Sequence, residues 1–132
     1  LWEFYRDECL KLGKPDPVPA RRASAAVTML CRDPRDGWEE LAPYFLHEAN
    51  AYGAWEATRA GEGLHQQAAD AAALRKTGVY RVLTPQDYLA ELQAAGPAAF
   101  AMLHPMVGGI PPELAWRHLR LFEHEVLPGL HR

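Results

Sequence analysis

Cysteine is scarce. Only Cys9 and Cys31 occur in 132 residues, with no second cysteine at Cys-x-x-Cys distance from either, which excludes a disulfide framework and a zinc knuckle. Lysine is scarce too: of 14 basic residues 11 are arginine, and Arg21 and Arg22 are the only adjacent arginines. With a net charge of -3 and an isoelectric point near 6.1, the chain lacks the clustered cations that displace counterions from phosphates, so no nucleic-acid partner is expected. No long apolar run is present. The charge-free stretch 97–112 contains His104, two glycines and four prolines, so it cannot cross a membrane as a helix, and no membrane partner is expected. The first eight residues lack a basic start followed by an apolar run, so a cytoplasmic, reducing location is expected. There is no Gly-x-Gly-x-x-Gly and no P-loop. His-Glu-x-x-His is begun twice, at His47-Glu48 and His124-Glu125, but Ala51 and Pro128 stand where the second histidine is needed. A zinc hydrolase is thereby excluded and no metal is expected; His47, Glu48, His118, His124 and Glu125 read as surface or boundary residues.

What is present is ordinary for one globular domain: 48% hydrophobic and 23% charged residues. Leu1, Tyr5, Cys9 and Leu12 form one helical stripe that Gly13 and Pro15 stop. A short strand is predicted within the apolar, partly β-branched part of residues 18–30. Asp33 then supplies a cap and Pro34 a first helical residue. The helix that follows carries Trp38, Leu41, Ala42, Phe45, Leu46, Ala49 and Tyr52 on an apolar face, with a kink or break expected at Pro43. Tyr52 and Trp55 are assigned to the core. Gly61 to Gly63 is a breaker, and the Ala-rich residues 66–76 favour a short helix.

Residues 80–83 read as a strand. Thr84-Pro85-Gln86-Asp87 is the best helix start in the chain, and Gly96-Pro97 ends that helix. Residues 98–103 form a continuous apolar run of strand length, as in strands buried on both faces of a parallel sheet. A loop over 104–112 and a helix over 113–127, closed by Pro128-Gly129, complete the order. Strand-then-helix units separated by short loops predict an α/β fold with about three parallel strands. In such folds ligands bind at the carboxyl ends of strands. His104, Met106, Gly108 and Gly109 follow the third predicted strand and are the candidate cofactor-binding residues; His104 is the one imidazole there, and with no acidic or hydroxyl partner near it in sequence it reads as bracing the loop ahead of acting as a general base.

Three stretches taken in order resemble the C-terminal portion of the luciferase-like flavin-dependent monooxygenases. They are Trp38 with Leu-Ala-Pro-Tyr-Phe-Leu-His-Glu over 41–48, Tyr-Arg-Val-Leu-Thr-Pro-Gln-Asp over 80–87, and His-Pro-Met-Val-Gly-Gly-Ile-Pro-Pro-Glu-Leu-Ala-Trp over 104–116. Leu119 to Phe122 with Glu125 to Pro128 is similar to the last barrel helix of that bacterial family. The resemblance implies that residues 1–132 are the C-terminal part of a (β/α)8 TIM barrel, helix-rich, with 34–76 as a helical, lid-like insertion. It also implies a flavin-dependent oxidoreductase using reduced FMN or a deazaflavin on a small-molecule substrate, a homodimer, and catalytic residues in earlier barrel segments, so none is assigned here. The chain begins at Leu1 inside a predicted helix, in line with a piece of a longer protein that is inactive alone. The alternative from a different class is a non-catalytic, mostly helical binding or regulatory domain, whose partner would meet the apolar face of the stretch 34–60.

Overall fold

A computed structural model describes residues 1–17, 21–22, 27–58, 65–96 and 99–130. In chain order the elements are α1 (Trp2–Lys11), β1 (Arg21–Arg22), β2 (Val27–Leu30), α2 (Pro34–Glu56), α3 (Ala71–Lys76), β3 (Tyr80–Leu83), α4 (Pro85–Ala95), β4 (Ala99–Phe100) and α5 (Pro112–Leu121). A π-helical turn, Phe122–Val126, then leads into α6 (Leu127–Leu130). The fold is helix-rich α/β. β2 pairs with β3 in parallel, Val27 opposite Tyr80 and Leu30 opposite Leu83, and β1 pairs in parallel with β4. Among the described residues these are two separate two-stranded pairs.

All four residues of β2 are buried, and they alternate. Val27 and Met29 join a cluster with Trp38, Leu41 and Phe45 of α2, whereas Leu30 packs with Tyr88 and Leu92 of α4 and Val126. The β2–β3 pair is thus covered on both faces, the burial that parallel strands require. Phe45 is fully buried, with ring centroids 5.4 Å from Trp38 and 5.0 Å from Tyr80. Burial of one such ring stabilises the fold by about 1.5–3 kcal/mol.

The helix starts follow their sequence signals. Asp33 accepts hydrogen bonds from the backbone N–H groups of Arg35 at 2.8 Å and Asp36 at 3.2 Å. Thr84 accepts from the Asp87 N–H at 3.1 Å, and Gly96, at φ +76°, ends α4. Other expectations need correction. α2 runs unbroken through Pro43. That proline is exposed while Leu41, Ala42 and Phe45 beside it are buried, so packing on both sides outweighs the missing backbone bond. Of the α1 stripe only Cys9 is buried; Leu1, Tyr5 and Leu12 are exposed. Residues 101–103 lie outside β4, and the breaker at 61–63 lies outside the described residues.

Pro128-Gly129 does not stop the last helix either. In the π turn the Leu127 N–H reaches the Phe122 carbonyl, and the widened turn restarts the helix so that Pro128 falls in the first turn of α6, where its missing N–H is tolerated. Gly129 then seats α6 on α4: a Cβ there would lie 2.5 Å from Leu89 Cδ2. Among the described residues no helix is long and apolar enough to cross a membrane.

Candidate functional site

α2 runs back along the β2–β3 pair. Pro34 and Trp38 share a hollow with Val82 and Leu83 at the carboxyl end of β3, while Glu48 meets Tyr80, the first residue of β3. Glu48 is 5% exposed. Its Oε2 accepts the Gly108 N–H at 2.8 Å and its Oε1 accepts the Tyr80 hydroxyl at 3.3 Å; His104 Nδ1 stands 3.8 Å from the same Oε1. Burial, then the Glu48 charge beside it, pushes the Tyr80 phenol well above its ordinary value, so it stays a donor.

Around this carboxylate the loop after β4 is folded into a tight turn, Val107–Gly109. Val107 and Ile110 anchor it in the core at 0% and 1% exposure. Gly108 adopts φ +55°, and a Cβ on it would sit 2.0 Å from the Tyr44 carbonyl oxygen. Only glycine permits that approach. Met106 is exposed, His104 is half-exposed, and Gly109, at φ +71°, has open space where a side chain would go. Of the four candidate residues, three therefore present surface, and Gly108 is an internal brace.

The same face of α2 carries Tyr52 and Glu56, four and eight residues beyond Glu48. Glu56 accepts the His65 N–H at 2.8 Å and pairs with His65 Nδ1 at 3.0 Å, and these bonds hold its carboxyl below the usual carboxylate range. The His65 ring stacks on Tyr52 with centroids 5.0 Å apart. Tyr52 and Trp55, assigned above to the core, are instead exposed, because they lie past the point where α2 leaves the strands.

A second opening lies at the carboxyl end of β2, the end at which parallel α/β folds bind ligands. Cys31, Asp33, Asp36, Glu40 and Arg117 line this groove of about 440 Å³, within the range of small-molecule sites. Gly37 lets α2 approach, since a Cβ there would lie 2.5 Å from Cys31 Sγ. Burial pushes the Cys31 thiol up, so it remains a thiol and not a nucleophilic thiolate. Arg117 pairs with Glu40 at 2.5 Å. Behind Cys31, His118 is 3% exposed, its Nδ1 against the Leu30 carbonyl and 3.9 Å from Cys31 Sγ.

His118 and Glu48 correct the surface assignment made from sequence. The signal was available: His118 follows the buried Leu114 and Ala115 by four and three residues, and Glu48 follows Phe45 by three. Burial holds the His118 imidazole below its ordinary value near 6.5. The unfolded chain therefore binds a proton there more readily, and stability is expected to fall as pH drops through about 6.5. Urea denaturation at a series of pH values checks this; His118→Asn, which cannot titrate, should flatten the acid limb relative to wild type.

Among the described residues no group of three or more His, Cys, Asp or Glu is placed to hold a metal ion. No protein-family model, curated protein or solved structure matches the chain.

Proposed function

We propose that the chain is part of a luciferase-like, flavin-dependent oxidoreductase that uses reduced FMN or a deazaflavin on a small organic substrate, and that the 132 residues are inactive alone. Beside the ordered sequence stretches, one structural observation carries the proposal. Each parallel pair has only two strands among the described residues, whereas a two-stranded sheet is marginal by itself and parallel strands belong to wider sheets covered on both faces. Continuation of these pairs into a closed (β/α)8 barrel supplies the missing neighbours. The apolar residues Phe4, Tyr5 and Leu10 of α1 and Leu12 just after it, exposed here, are the kind of surface such neighbours cover.

The described residues fit a flavin unevenly. Met106, His104 and Gly109 present surface, but their loop gathers on Glu48 at the amino end of β3, whereas barrels hold their ligands at the carboxyl ends of the strands, where Cys31, Asp33, Glu40 and Arg117 line the groove. Gly108 cannot meet a ligand, because its N–H is held by Glu48 and its Cα abuts Tyr44; its part is to set the turn. Within 34–76, the stretch assigned to a lid, Trp38, Leu41 and Phe45 fix most of α2 in the core, which leaves the end bearing Tyr52 and Trp55 to cover a pocket. A bound reduced flavin would supply the electrons.

Anaerobic absorbance titration tests the proposal. The complete gene product carrying these residues is expected to bind reduced FMN or a reduced deazaflavin one-to-one, and the isolated 132-residue chain neither. A complete product that binds neither would refute the flavin assignment; tight stoichiometric binding by the isolated chain would refute the need for further barrel units.

A further inference from the structure

Between β2 and α5 lies a cavity of about 10 Å³ lined by Thr28, Leu30, Leu103, Pro105, His118 and Leu119. Its walls are almost wholly apolar. Two of these residues nevertheless carry buried polar atoms that find no hydrogen-bond partner among the described residues, Thr28 Oγ1 and His118 Nε2. Thr28 is 0% and His118 3% exposed. Leaving either atom bare destabilises the fold, and buried polar groups in folded proteins are seldom left so.

The hydrogen-bond roles are fixed by the other side of the ring. His118 Nδ1 lies against the Leu30 carbonyl, which only accepts, so Nδ1 carries the proton and Nε2 is a bare acceptor. Burial of the ring favours this neutral form. The Thr28 hydroxyl can donate or accept. The missing partner must therefore donate to Nε2, exchange a second bond with a hydroxyl, and fit a space that admits a single water centre.

We propose that this cavity is a binding site for one water molecule, which donates to His118 Nε2 and bonds Thr28 Oγ1. The water completes a polar link from Thr28 through the imidazole to the Leu30 carbonyl. It thereby positions the ring whose Nδ1 stands beside the Cys31 thiol, on the wall of the 440 Å³ groove.

An atomic-resolution crystal structure of the wild-type chain is expected to show one fully occupied water within hydrogen-bond distance of both atoms. An empty cavity, or a direct Thr28–His118 hydrogen bond that closes it, would overturn the proposal. In solution, oxygen-17 relaxation dispersion counts long-lived internal waters. Thr28→Val, which keeps the shape and removes the hydroxyl, is expected to lose one such water, and Thr28→Ser to keep it; equal counts in wild type and Thr28→Val would overturn the site. The nitrogen-15 shifts of His118 supply a readout without substitution: the Nδ1–H tautomer is expected, and the Nε2–H tautomer contradicts the assignment.

Discussion

Gly108→Ala is expected to destabilise the fold by about 3–5 kcal/mol, a large part of the 5–15 kcal/mol that holds a typical domain. Two costs add. The residue sits at φ +55° and ψ 18°, where an L side chain loses about 1–2 kcal/mol. The new Cβ would also lie 2.0 Å from the Tyr44 oxygen and 2.7 Å from its carbonyl carbon. Those atoms are backbone within α2, flanked by the buried Leu41 and Phe45, so they cannot swing aside as a side chain would. The turn must lift, and the Glu48 bond breaks with it. Gly109 is the internal control: its φ of +71° carries the same backbone cost, but nothing lies within 4 Å. Gly109→Ala is expected to lose only about 1–2 kcal/mol. Urea midpoints at unchanged slope measure both; equal losses would contradict the close-approach argument.

Glu48→Ala is expected to cost about 2–4 kcal/mol. Removing the carboxylate strands the Gly108 N–H and the Tyr80 hydroxyl, both satisfied by it in the fold, and a stranded buried donor costs about 1–3 kcal/mol. Glu48→Gln keeps an acceptor for one of them and should lose about 1 kcal/mol. Tyr80→Phe removes a single bond, also worth about 1 kcal/mol. Because Glu48 and Tyr80 share that bond, the double variant should fall short of the sum by about 0.5 kcal/mol or more in a double-mutant cycle. Strict additivity would mean that the 3.3 Å contact contributes nothing.

Local signals in the sequence proved reliable where they are chemical. Asp33-Pro34 and Thr84-Pro85 start α2 and α4 as their side-chain oxygens and prolines dictate, and the β-branched and aromatic runs around Val27 and Tyr80 form the parallel pair. Signals that compete with packing proved weaker. Pro43 does not break α2, where the buried Leu41, Ala42 and Phe45 hold the helix to the core, and Pro128 is tolerated in the first turn of the helix that restarts after the π turn. For the site, the loop 104–109 was visible as a histidine followed by two glycines. The burial of its partner Glu48 is implied by the three-residue spacing to Phe45, but the bond to Gly108 is not, because it spans 60 residues. His118 is alike: its spacing to Leu114 and Ala115 implies burial, while the Leu30 carbonyl that receives it lies 88 residues away in sequence.

Glu48 clamps the Gly108 turn to α2 and leaves His104, Met106 and Gly109 facing outward. Amide hydrogen exchange followed by nuclear magnetic resonance reads this directly. The Gly108 amide is expected to be protected in the wild-type chain and to exchange much faster in Glu48→Ala. A Gly108 amide that exchanges at the rate of an open loop in wild type, or whose protection is the same without Glu48, would contradict the clamp.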